Sequence, residues 1–320
     1  MDRKTLRYLL VAVVVVMLGV AGWRVLDSQN QRPKTVQIAT FSVAIDYAPY
    51  YVAMEKGYFA EELGKLGLEP KFSRFDALPP LNDALRLNQL DAVFEAEPPA
   101  LIAEATGIDV QVAEVSATLT QRIIARKGSG ITSLRDLKGK KIGVLTGTSS
   151  HYGILQSLQS VGISPEAVTI VNLPPAEGRA AFRSGQIDAW AIWPPFPEHE
   201  QMDSQAIEIP GSEATIQSLL ILDGDFLASN PAAAAAIDRA VDRAKADIAK
   251  DPAGAQALVA KATDQPIEVV RAAWPKHNFA ASLDSSVRQD IGAKARFLYE
   301  DKFLARPVDP EKALFDKPIQ

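Results

Sequence analysis

Apolar positions along the chain follow two rhythms that trade places. Over residues 35–40, Val36 and Ile38 recur at every second position, the period of a strand. Pro49, suited to a first helical turn, opens a helix that Gly57 ends, and a second short helix over 61–66 closes at Gly67. A strand over 70–75 precedes a helix begun by Pro79-Pro80, with Leu81, Ala84 and Leu85 on one side. A strand at 91–95, a helix at 98–106 and a strand at 110–115 follow. The polar stretch 116–121 reads as a connection, with a separate strand at 122–126 and a short helix at 133–138. A second series then starts: strand 141–145, polar loop 146–150, helix 151–161, strand 168–172, helix 176–184 and a strand from Asp188. Strands at 206–209 and 215–222 lead into a helical remainder. Its first helix, 231–250, carries the stripe Ile237, Val241, Ala244 and Ile248. Asp251-Pro252 breaks it, 267–273 and 284–304 are helical, and Asp309-Pro310 starts a short last helix. Strands alternating with helices at these lengths predict βα units in an α/β fold with largely parallel sheets.

The two series share an internal echo. Gln89-Leu90-Asp91-Ala92 and Gln186-Ile187-Asp188-Ala189 each follow a helix end, enter a short apolar strand and stop at a proline pair, Pro98-Pro99 or Pro194-Pro195. The second copy is one residue shorter between Asp-Ala and Pro-Pro. Two similar α/β lobes are expected, with strand ends facing each other, and ligands in open α/β sheets sit outside those ends. Glu95 and Glu97 stand there in one copy, Trp190 and Trp193 in the other.

At 320 residues the chain allows one or two domains and a sizeable core. A formal charge of −5, without a long Lys/Arg run, gives no field for nucleic acid. The absence of cysteine excludes disulfides, thiolate metal sites and Cys nucleophiles. Arg3, Lys4 and Arg7 precede an uncharged, mostly apolar run over 8–23, the layout of an export signal. Residues 1–23 are then either a signal peptide cleaved near Ala21, leaving a soluble periplasmic protein, or an uncleaved anchor tethering it to the inner membrane. Both place the body after Pro33 outside the cytoplasm.

Candidate chemistry clusters at strand exits. Thr148, Ser149 and Ser150 follow Gly147 between a strand and a helix, where free backbone N–H groups and hydroxyls suit an anionic group. N-capping alone accounts for one such hydroxyl, not three. Trp190 and Trp193, three apart, cannot share one strand face; they read as core packing or as a ligand wall. Glu97 suits a bound amine or hydroxyl, or is a solvated loop charge. Asp46 and Tyr47 are cleft candidates by their position after the first strand. Ser149, Ser150 and His151 make no triad by adjacency, and there is no Gly-x-Ser-x-Gly elbow or His-Glu-x-x-His helix. No enzyme, metal or cofactor signature is expected.

Several segments together resemble a family. The run from Tyr51 through Glu55-Lys56-Gly57-Tyr58-Phe59, the run from Leu134 through Leu137-Lys138-Gly139-Lys140, the Gly147 loop and the second echo strand are similar to aliphatic sulfonate- and taurine-binding proteins of bacterial ABC importers. That superfamily also includes nitrate, bicarbonate and thiamine-precursor binders. The resemblance implies a two-lobed type II periplasmic-binding fold, with lobe 1 from residues 36–121 plus 219–320 and lobe 2 from 122–218. It implies a monomeric, non-enzymatic substrate-binding component that meets a membrane permease and closes on a small organic anion or zwitterion. Thr148, Ser149 and Ser150 would take the anionic head, Trp190 and Trp193 would border it, and Gln121 falls at a ligand-contacting position. Glu95-Ala96-Glu97 departs from the family's small Gly/Ser/Thr-rich stretch and points to an amine-bearing or hydroxyl-rich ligand. An enzyme on the same fold and a tethered sensory module remain the alternatives.

Overall fold

The alternation that begins at Val36 becomes β1 (Lys34–Phe41) in the computed structural model, which describes residues 34–41 and 43–315. The expected leader at 1–23 lies outside these described residues. A 3-10 turn (Ile45–Tyr47) leads into α1 (Ala48–Glu55), α2 (Tyr58–Gly64), β2 (Leu68–Phe75), α3 (Leu78–Arg86), β3 (Ala92–Ala96), α4 (Glu97–Ala105) and β4 (Val110–Arg126). The second series is β5 (Lys141–Val144), α5 (Ser149–Ser160), β6 (Thr169–Asn172), α6 (Pro175–Ser184), β7 (Ala189–Ile192) and α7 (Phe196–Met202). Then come β8 (Ala206–Glu208), β9 (Ala214–Asp223), α8 (Gly224–Ser229), α9 (Pro231–Lys250), α10 (Pro252–Ala262), α11 (Ile267–Ala273), β10 (His277–Asn278), α12 (Ser285–Glu300) and α13 (Pro310–Ala313).

The strands lie in the order β2-β1-β3-β9-β4-β7-β5-β6, with β8 and β10 also pairing with β4. Each βα series supplies a parallel group, β2-β1-β3 on one side and β6-β5-β7 on the other. The centre, β3-β9-β4-β7, is antiparallel. β4 belongs to both halves: it pairs with β9 as far as Gln121 and with β7 from Arg122 onward. A larger core surrounds β1, β3, β9 and the first part of β4, and a smaller one joins Ile123, Ile142, Val144, Ile154 and Leu158. The stripe of α9 is buried at all four of its predicted positions.

The expected connection at 116–121 is instead the middle of one 17-residue strand. Its polar side chains are satisfied inside the protein. Ser116 Oγ donates to Asp46 O at 2.8 Å, Thr118 Oγ1 to Gln217 Oε1 at 2.6 Å, and Gln121 Nε2 to Ser149 O at 2.8 Å. A polar run whose members find partners need not leave the sheet. Two register shifts against β9, at Val112/Glu114 and Val115/Ala117, are bulges that bend the strand. The helices α7 and α8, absent from the sequence reading, are short; Asp223 caps α8 by accepting from Phe226 N at 2.8 Å.

The echo has a geometric cause. Asp91 N donates to Gln37 O at 3.0 Å and its Oδ2 accepts from Gln37 N at 2.6 Å. Asp188 repeats both bonds on Lys141, at 2.8 and 2.9 Å. Each aspartate thus clasps the neighbouring parallel strand, Asp91 at Gln37 within β1 and Asp188 at Lys141, the first residue of β5. Each glutamine closes the preceding helix, Gln89 N on Ala84 O and Gln186 N on Ala181 O, both at 2.9 Å. The residue before it is left-handed in both copies, Asn88 at φ 50° and Gly185 at φ 76°.

Candidate ligand-binding cleft

The cleft is built where β5 hands over to α5. Gly147 turns the chain at φ 90°, a conformation that calls for glycine, and its bare Cα lies under the Leu78 side chain. At the start of α5, His151 N and Tyr152 N donate to Thr148 O at 3.0 and 3.2 Å, whereas Ser149 N and Ser150 N meet no acceptor among the described residues. Thr148 Oγ1 is committed to Leu145 O at 2.6 Å. The hydroxyls of Ser149 and Ser150 reach Gln121 Oε1 at 3.5 and 3.3 Å, long bonds that a better acceptor would displace. Gln121 lies against the helix because residue 153 is glycine; a Cβ there would be 3.0 Å from Gln121 Nε2.

Asp46, Tyr47, Thr148, Ser149 and Trp193 line one narrow cavity with Phe41, Pro99, Leu119 and Ile216. Its volume is about 20 Å³, room for little more than a single water. Trp193 closes it: its indole Nε1 donates to Val43 O at 3.2 Å, and its ring centroid lies 6.3 Å from that of Phe41. Gln121 and Ser150 stand behind this surface.

The structure does not bring Trp190 to the cavity. It is 0 % exposed, packed over Gly178 and between the rings of Phe182 and Phe196 at 6.1 and 5.8 Å. β7 is buried throughout, so the residue on its other face has a core to fill. Nor is Glu97 a loop charge or a cavity group. It opens α4 at 0 % exposure; Oε1 meets Lys294 Nζ at 2.5 Å and Oε2 accepts from Gln217 N at 3.0 Å. Lys294 also donates to Asp290 and to Thr215 O, each at 2.7 Å. Burial works against the Lys294 charge, but the Glu97 and Asp290 carboxylates hold its pKa above the ordinary value.

Three other groups near the cavity are perturbed. Burial pushes Asp46 up to about 6, against the nearby Ser218 hydroxyl and helped by the charge of Glu97; its Oδ1 has no partner among the described residues. Burial raises Tyr47, with Asp46 and Glu95 adding to it. Glu95 is driven up to about 8 by burial, and both its oxygens lack partners among the described residues. Sequence reasoning missed Lys294, whose spacing four residues after Asp290 looks like any surface pair, and the ring contact of His151 on Phe303 at 4.7 Å. Among the described residues no group of three His, Cys, Asp or Glu is placed to hold a metal.

Strand order and paired parallel groups define the class: this is the α/β fold of periplasmic binding proteins. The solved alkanesulfonate-binding protein SsuA from Xanthomonas axonopodis pv. citri, bound to MOPS, superposes with a TM-score of 0.78 over 89% of this chain and 99% of that one, at 22% identity. The chain belongs to the NMT1/THI5-like family, whose pattern matches residues 44–255. Among curated relatives, a putative aliphatic sulfonates-binding protein of Bacillus subtilis (strain 168) is 32% identical over 208 residues, 64% of this chain and 61% of that one. Its counterpart in Escherichia coli (strain K12) is 30% identical over 174 residues, 50% of this chain. The match spans 54% of the E. coli protein, so it covers between half and two thirds of each relative's length.

Proposed function

We propose that this chain is the extracytoplasmic substrate-binding component of an ABC importer, taking a small organic anion of the sulfonate class between two lobes and delivering it to a membrane permease. The observation that carries the reading is the start of α5. Two backbone N–H groups without acceptors and the Ser149 hydroxyl meet at the edge of a desolvated cavity that Trp193 closes. A helix start of this kind stabilises an anion by about 0.3–1 kcal/mol through its dipole, and more through direct N–H bonds in a water-poor site. The names of the relatives, aliphatic sulfonates-binding proteins, supply the ligand class.

Residues 36–121 with 219–320 form lobe 1 in this reading, and residues 122–218 form lobe 2. Support comes from β4, which exchanges β9 for β7 at Gln121/Arg122, where that boundary falls. Hinge closure of two lobes on a ligand is the established behaviour of periplasmic binding proteins. The chain works in this account as a monomeric carrier without turnover.

Isothermal titration with short alkanesulfonates tests it. Affinity near micromolar needs about 8 kcal/mol. Ser149→Asp puts a carboxylate where the anionic head would sit and should weaken binding at least about a hundredfold. The helix should survive, because an acidic first-turn residue suits its dipole. Folded wild-type protein that binds no member of the series removes the sulfonate reading. Unchanged affinity in the variant removes the α5 site.

A further inference from the structure

Away from the cavity, α7 and β8 are tied to the C-terminal part of the chain. Lys276 ends the 3-10 turn Trp274–Lys276 after α11. Its Nζ lies 2.6 Å from Glu198 Oε1 on α7 and 2.5 Å from Glu208 Oε1 on β8. Glu208 also pairs with Arg122 at 2.8 Å, whereas Lys276 is the only cation of the described residues in ion-pair contact with Glu198. The Glu198 side chain is 2 % exposed, and its Oε2 meets no donor among the described residues. One residue on, His199 Nε2 meets Gln265 Oε1 at 2.6 Å, in the turn between α10 and α11. Burial opposes the Lys276 charge, but Glu198 and Glu208 hold its pKa above the ordinary value. The C-terminal segment is anchored elsewhere: β10 pairs with Thr118 and Leu119 of β4, and α10 packs on α1. A buried carboxylate is tolerable only while its counter-charge stays beside it, so Glu198 favours the arrangement with α7 against Lys276.

Resting on the two-lobe reading above, we propose that Lys276 is a latch between the lobes, holding the cleft shut when no ligand is present. Only Pro194 and Pro195 separate α7 from Trp193, and the Phe196 ring stands 6.1 Å from the Trp193 ring. Whatever fixes α7 therefore fixes Trp193 beside the cavity, where its indole meets Val43 O. Parting the lobes carries both carboxylates away from Lys276. Glu208 keeps Arg122, which travels with it in lobe 2, while Glu198 is left to water. The shut cavity has room for little more than one water, so the latch opens before a ligand enters.

Distances between spin labels test it, because a chain without cysteine takes labels only where cysteines are introduced. Leu87→Cys in lobe 1 and Gln159→Cys in lobe 2 use exposed positions outside the cavity. Lys276→Met combined with Glu198→Gln removes the latch and leaves neither charge buried alone. In the ligand-free protein this variant should raise the longer-distance population at least about threefold. Glu198→Gln alone should move it in the same direction, and it decides the matter if the double variant does not fold. An unchanged or shortened distance in the folded variants overturns the latch, even where their urea midpoints fall, since the network would then be structural only. Ethanesulfonate separates the two readings. If it shortens the wild-type distance while the variants match the wild type, the lobes close on a ligand without a latch. A distance that neither ethanesulfonate nor substitution alters defeats the two-lobe reading, and the latch with it.

Discussion

Glu95 shows how far a single side chain here departs from its behaviour in water. It is wholly buried on β3 with neither oxygen partnered among the described residues, and burial lifts its pKa from 4.5 to about 8. The folded protein therefore keeps a proton at neutral pH that the unfolded chain gives up. Between those two values the folded state binds more protons, so this group's contribution to stability falls as pH rises from 4.5 to 8 and then levels off. Asp46, raised to about 6, adds a slope of the same sign between 3.8 and 6. Glu95→Gln should stabilise the protein by on the order of 3 kcal/mol at pH 7 and by little at pH 4. Urea unfolding at both pH values checks this, and an equal effect at the two would remove the protonated Glu95 from the account. Asp46 and Tyr47 were legible as cleft residues because a strand's exit is a position that sequence can locate. The environment of Glu97 was not, because the partner that neutralises it lies 197 residues further along the chain.

At the level of elements, the βα alternation was readable because its punctuation is local. Pro49, Gly57, Gly67, Gly185 and the Asp-Pro pairs each impose a backbone conformation whatever the surroundings. The echo was visible too, although its cause, an aspartate clasping the next strand, required the parallel pairing to be seen. β4 was misread for the opposite reason: whether Ser116, Thr118 and Gln121 can stay inside depends on Asp46, Gln217 and Ser149, all distant in sequence. The tryptophan of the second echo is held by α6. Gly178 lets the helix lie on Trp190, with a Cβ there standing 2.8 Å from the indole Nε1. Gly178→Ala should therefore destabilise by about 1–3 kcal/mol, although alanine is the better helix former by about 1 kcal/mol. A higher midpoint in chemical denaturation would mean that α6 shifts without cost.

At the scale of the whole molecule, the sequence predicted two halves, and β4 and β9 join them through shared hydrogen-bonded ladders. It did not foresee that the C-terminal segment reaches across. Phe297 of α12 meets the Tyr152 ring at 5.3 Å, and Phe303 beyond it meets His151, so α5 is braced by residues from the far C-terminal part of the chain. Beside the cavity, the Trp193 indole adds a bond to Val43 O. That bond makes the cleft an optical instrument. Of the four tryptophans, Trp193 lines the cavity, while Trp190 stays in a dry core. When the halves part, Trp193 loses its carbonyl partner and meets water, so its emission reddens; a ligand that draws the halves together restores the blue. The shift should vanish in Trp193→Phe and persist in Trp190→Phe, and a shift surviving the first substitution would mean that closure is felt elsewhere. The protein would then report its own occupancy in light, with no dye attached.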